Sequence, residues 1–157
     1  MFKQKIIYFL LFFFMQTTSM AELTIRITQG VGKQTPVAIV PFGVGSGLSK
    51  ISENITEIIT NDLLRSGRFS VTPVENMLQQ PSTGAEIDFD DWSILGVEAV
   101  VIGKITEGRN NSYNIQFQLF DIYKREQIVG YRMPANEKTL RRSAHRIADM
   151  VFEELTG

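Results

Sequence analysis

The sequence predicts one α/β domain, a mixed β-sheet of about five to six strands with two main helices packed against it. Three observations carry that reading. The apolar runs fall in the order strand, strand, helix, strand, helical turn, strand, strand, strand, helix, an order that a mixed sheet covered by helices accommodates. Two stretches repeat apolar residues at helical spacing over three or more turns. The length fits as well: 157 residues, less a leader of 21, leave 136, enough for one core without staples. Staples are in any case not on offer, because the chain has no cysteine.

The leader is the segment Met1 to Ala21, read as a cleavable signal peptide. It has a basic start with Lys3 and Lys5, an apolar run from Ile6 to Met15, and Ser19-Met20-Ala21 before the break at Ala21/Glu22. Ten apolar residues at about 1.5 Å each span half of a roughly 30 Å hydrocarbon core, so a retained anchor is the weaker reading and no stable membrane insertion is expected after cleavage. Lipid attachment would need a cysteine. Losing Lys3 and Lys5 moves the formal charge from −1 to −3, without the basic excess a nucleic-acid partner requires.

Behind the leader, Leu23, Ile25 and Ile27 alternate with Thr24, Arg26 and Thr28, the pattern of a strand with one buried face. Val37 to Phe42 has no polar alternation and reads as an inner strand bounded by Pro36 and Pro41. A glycine-rich link, Gly43 to Gly47, leads to a helix carrying Ile51, Ile55, Ile59 and Leu63, with Gly67 as its stop. A short strand follows around Phe69 to Thr72, then a loop from Gln79 to Gly84. Asp88 or Asp90 is placed to cap a helical turn bearing Trp92. Ala99 to Ile102 is a buried strand. Gly108 to Ser112 is turn chemistry, and Tyr113, Ile115, Phe117 and Leu119 alternate with Asn114, Gln116 and Gln118 to complete a hairpin. Gln127 to Arg132 is a further strand that Pro134 ends. The last helix has Leu140, Ala144, Ile147, Ala148, Val151 and Leu155 on one stripe.

No catalytic constellation assembles from these residues. Gly43-Val44-Gly45-Ser46-Gly47 sits between strand and helix, as a phosphate loop would, but Leu48 replaces the third glycine of the dinucleotide fingerprint and Ser49-Lys50 reverses the P-loop order. It reads as a flexible turn. His145 is the only histidine, which removes His-pair metal sites and leaves a half-exposed helix residue at the border of the buried stripe. Asp88, Asp90 and Asp91 lack the glycine and distal glutamate of a calcium loop and read as capping and solvated acidic residues. Asp62 falls near an apolar stripe and is expected to bond a backbone group or Arg65. The sequon at Asn54 lies inside the expected helix, and that at Asn110 carries little weight. No metal and no cofactor is implied. A binding module is the better class, with the terminal strand Glu22 to Thr28 either edging its own sheet or pairing along a partner's.

These runs, taken in order and spacing, resemble the amino-terminal domain of the TolB family, periplasmic components of the Tol-Pal envelope system. The residues carrying the resemblance are Glu22 to Ile27 (ELTIRI), Pro36 to Phe42 (PVAIVPF), Asp62 to Phe69 (DLLRSGRF), and Trp92 with Leu95 to Gly103 (LGVEAVVIG). Phe117 to Asp121 (FQLFD), Ala144 to Asp149 and Phe152 to Gly157 (FEELTG) complete it. The resemblance implies a periplasmic non-enzyme that supports outer-membrane integrity and envelope constriction during division. It implies the partners TolA, from the inner membrane, and Pal, the peptidoglycan-associated lipoprotein, with colicins as parasitic ligands. The family's TolA-binding segment maps onto Glu22, Leu23, Thr24, Ile25, Arg26 and Ile27. Family members continue past the residues matching Thr156-Gly157 into a β-propeller that carries most Pal and colicin contacts, so Pal binding is not expected of these residues alone. Two other classes fit the same patterning: another exported α/β adaptor domain of an envelope or secretion assembly, and a small exported hydrolase.

Overall fold

The computed structural model describes residues 32–48, 51–110 and 112–157. The strand expected over Leu23 to Thr28 and the leader lie outside the described residues.

Strand β1 (Thr35–Ile39) carries the run that lacks polar alternation. Its burial on both sides follows from its place: it pairs in parallel with β3 (Phe69–Val71) on one side and with β4 (Ala99–Glu107) on the other. Val37 and Ile39 face one core, Ala38 and Val40 the other, and all four are at most 1 % exposed. Strands β5 (Tyr113–Asp121) and β6 (Glu126–Ala135) extend the sheet antiparallel from β4, in the order β3-β1-β4-β5-β6. Pro36 lies within β1 and Pro134 within β6, where the sequence suggested strand ends. The second is tolerated because β6 is an edge strand among the described residues, where a missing N–H need not break the ladder.

Helix α1 (Ile55–Arg65) starts later than its apolar series suggests. The side chain of Asn54 accepts from the Glu57 N–H at 3.2 Å, the bond that defines an N-cap, so Asn54 stands before the helix and Ile51 reaches the core from the preceding loop. Gly67, at φ +70°, follows the C-cap Ser66. Ile55, Ile58, Ile59 and Leu63 pack beneath the sheet beside α3 (Leu140–Thr156), whose Leu140, Ala144, Ile147, Ala148 and Val151 share the same core. Burying Ile59, Leu63 and Ile147, each at most 1 % exposed, contributes about 2 kcal/mol apiece.

The opposite face is covered at one end by α2 (Phe89–Ile94), capped by Asp88, whose carboxylate accepts from the Asp90 N–H at 3.0 Å. Trp92 fills the space over Ala38, Val100, Ile102 and Phe120. Toward the other end the same face turns polar, and Asn114, Gln116 and Gln118 line it as their alternation predicts.

One strand was not expected. β2 (Gly43–Val44) lies where the sequence suggested only a flexible link, and pairs in parallel with Lys104 and Ile105 of β4. After β1 the chain bends through Val40-Pro41-Phe42 and returns to the same side of β4, which therefore runs on to Glu107 instead of stopping near Ile102. Phe42 lies against Gly103, where a side chain would collide with its ring.

Candidate partner-binding surfaces

The bend between β1 and β2 leaves an open cleft at the sheet's end. Its volume is about 540 Å³, and Phe42, Val44, Leu48, Ile51, Ile55 and Ile105 line it. Here β3 flanks β1 but does not reach β2, which among the described residues pairs with β4 alone. The Phe42 N–H donates to Thr56 Oγ1 at 2.9 Å, tying the bend to α1. The carboxylate at its rim, Glu53, is engaged by Arg141 at 3.1 Å. Apolar walls beside a short strand can hold apolar side chains, and the polar residues Ser52, Glu53 and Thr56 join the lining.

Nearby, Tyr113 Oη donates to Glu137 Oε2 at 2.8 Å. Hydrogen bonds from Ser52 and Tyr113 hold the Glu137 carboxyl below the usual carboxylate range, and the same contact raises the Tyr113 phenol. Glu86 is also held low, chiefly by the backbone N–H of Ser82, which donates to it at 2.7 Å, with Thr83 assisting. These contacts tie loops down at the surface, and Ser52 joins the Glu137 pair to the cleft lining.

The sequence-selected residues are dispersed. Asp62 engages Arg65 at 3.4 Å, as expected, but its second oxygen lies 2.5 Å from His145 Nδ1, a link from α1 to α3 across 83 positions. His145 is partly exposed on α3, in keeping with the border position read from its spacing. Asp90 bonds Arg125, and Asp91 accepts from Gln79 at 3.4 Å. Asp62 therefore belongs to the α1 side of the sheet and Asp88 to Asp91 to the α2 side, so the acidic residues a hydrolase would need do not converge. Among the described residues no group of three or more histidine, aspartate or glutamate side chains is placed to hold a metal ion. The segment chosen for partner binding, Glu22 to Ile27, and the cleavage junction Ala21/Glu22 lie outside the described residues.

The family model of the TolB amino-terminal domain matches residues 23–128, a span that covers most of the sheet and includes most of the terminal segment. The chain is 47 % identical over 137 residues to the Tol-Pal system protein TolB of Nitrosococcus oceani, covering 87 % of this chain. The chain belongs to the TolB family. It covers 31 % of the Nitrosococcus oceani relative's length, about a third. Among solved structures, TolB from Acinetobacter baumannii superposes with a TM-score of 0.65 at 26 % identity, over 80 % of this chain and 29 % of that one. The carboxy-terminal domain of LpoB from Salmonella enterica, 17 % identical with a TM-score of 0.51 over 69 % of this chain and 87 % of that one, shares the fold.

Sequence reasoning missed the cleft beside β2 and the His145–Asp62 link. A proline-interrupted apolar run followed by Gly-Val was the available sign of the first. The second has no local sign, because its two residues meet only once α1 and α3 are packed.

Proposed function

We propose that residues 22–157 are the amino-terminal, non-enzymatic domain of a periplasmic Tol-Pal component, with a mature start at Glu22 after removal of residues 1–21. Membership in the TolB family is the observation that carries the proposal. Among the described residues no helix is long and apolar enough to cross a membrane, in keeping with a domain that works between membranes.

The partner-binding element in this reading is Glu22, Leu23, Thr24, Ile25, Arg26 and Ile27, which dock in extended form on the carboxy-terminal domain of TolA. Seven residues from Glu22 to Thr28, at about 3.3 Å each, reach roughly 23 Å, enough to line one strand edge. Four or so backbone hydrogen bonds at about 1 kcal/mol each, with burial of Leu23, Ile25 and Ile27 at about 2 each, oppose ordering costs of about 1 to 2 kcal/mol per residue. The terms nearly cancel, so the link forms and releases readily. That suits a connection remade during envelope constriction, and it supports outer-membrane integrity through the inner-membrane partner. Pal and colicin contacts belong to the propeller that family members carry beyond this domain.

Crosslinking in cells, followed by identification of the captured protein, separates this function from that of another exported α/β adaptor. Recovery of TolA supports it, and a capture consisting of secretion-assembly proteins without TolA refutes it. Mass spectrometry of the mature chain, expected to begin at Glu22, checks the processing.

A further inference from the structure

Helix α3 carries its charges in the reverse of the order a helix favours. Arg141, Arg142 and Arg146 occupy its first half, Asp149, Glu153 and Glu154 its second, and neither an acid in the first turn nor a base in the last offsets them. The helix macrodipole favours the opposite arrangement. Arg141 is engaged by Glu53. Arg142 and Arg146 are exposed and make no ion pair among the described residues. Lys138, exposed in the turn leading into the helix, stands four positions before Arg142, as Arg142 does before Arg146. Like charges four apart on a helix, as Arg142 and Arg146 are, repel one another. Two local rules are thus broken at one place, and of the helix's arginines only Arg141 has an ion-pair partner among the described residues, a pattern characteristic of surfaces kept for function.

We propose that Lys138, Arg142 and Arg146 dock an acidic, extended segment of a partner protein, through residues other than those assigned to TolA. Arg142 and Arg146 are about 6 Å apart along the helix axis, with Lys138 in the turn that precedes it. Acidic residues at alternate positions of an extended chain repeat at about 6.8 Å on one side, close enough for side chains as long as arginine to meet each carboxylate. An anionic lipid surface fits less well. The helix continues into Asp149, Glu153 and Glu154, which such a surface repels, and the exposed aromatic of α3, Phe152, lies in that acidic half with its ring edge-on to Phe69.

The test titrates the isotope-labelled chain with a short synthetic peptide of alternating glutamate and serine, and separately with phosphatidylglycerol vesicles, at low ionic strength. Amide shifts concentrated at Lys138, Arg142 and Arg146 with the peptide are expected. They should weaken about tenfold or more both in the Arg142→Gln/Arg146→Gln variant and on raising salt to about 0.5 M. The Arg142→Lys/Arg146→Lys variant should retain binding, and the glutamine variant should melt no lower than the parent, because it relieves repulsion. Peptide shifts located elsewhere, affinity unchanged by the glutamine substitutions, or association with vesicles alone would overturn the proposal.

Discussion

Replacing Gly103 with alanine probes the contact that shapes the open end of the sheet. Gly103 lies mid-strand in β4, opposite Phe117, with the Phe42 ring over it. A methyl group there collides with several ring atoms at once. Overpacking of this kind costs typically about 1 to 3 kcal/mol. Two effects reduce it. Alanine restricts the unfolded chain more than glycine, which returns about 0.4 to 1 kcal/mol, and the Phe42 ring borders the cleft, into which it can swing. A net loss of about 1 to 2 kcal/mol follows, which at this domain size lowers the melting temperature by about 4 °C per kcal/mol. Urea denaturation of Gly103→Ala, Phe42→Leu and the double variant measures it. The smaller Leu side chain should accept the methyl group, so Gly103→Ala should cost less than half as much in the Phe42→Leu background. A Gly103→Ala chain as stable as the parent, or an equal loss in both backgrounds, would refute the packing of Phe42 on Gly103.

Three other outcomes can be checked with the same equipment. Asn54→Ala should lose about 1 kcal/mol of stability in urea, the usual worth of a side-chain N-cap. A double-mutant cycle on Asp62→Asn and His145→Ala should give a coupling of at most about 1 kcal/mol, since both side chains keep solvent contact and screening is strong. Glu86 and Glu137 are held below their ordinary values in the folded chain, so their contribution is fully present above the ordinary glutamate value and is lost as pH falls through the depressed folded values. Glu86→Gln/Glu137→Gln should flatten that acid limb when stability is measured against pH.

Much of the fold was legible where burial imposes a simple pattern. Val37 to Val40 are apolar without interruption because β1 is covered on both faces, and Ile55, Ile59 and Leu63 recur by four because one helical face meets the sheet. The same series misled at Ile51, where a partly buried loop residue packs against the core and the Asn54 cap sets the true start. Gly103 and Lys104 disguised the second half of β4, since one faces an aromatic ring in place of a side chain and the other lies where α2 no longer covers the sheet. β2 has two residues and no periodicity, and it exists only because β4 extends past β1. The fate of Asp62 was half readable: Arg65 is one turn away, whereas His145 comes from the far end of the chain. Partner binding was read from the alternation of Leu23, Ile25 and Ile27 and from family resemblance, not from any assembled site.

The proposal that Glu22 to Ile27 form the TolA-binding element is tested most directly by capture of the mature chain, with and without those six residues, on immobilised TolA carboxy-terminal domain. Circular dichroism and melting temperature serve to confirm that the deletion leaves the domain folded. Loss of capture by the folded deletion variant is the predicted result; undiminished capture would contradict it.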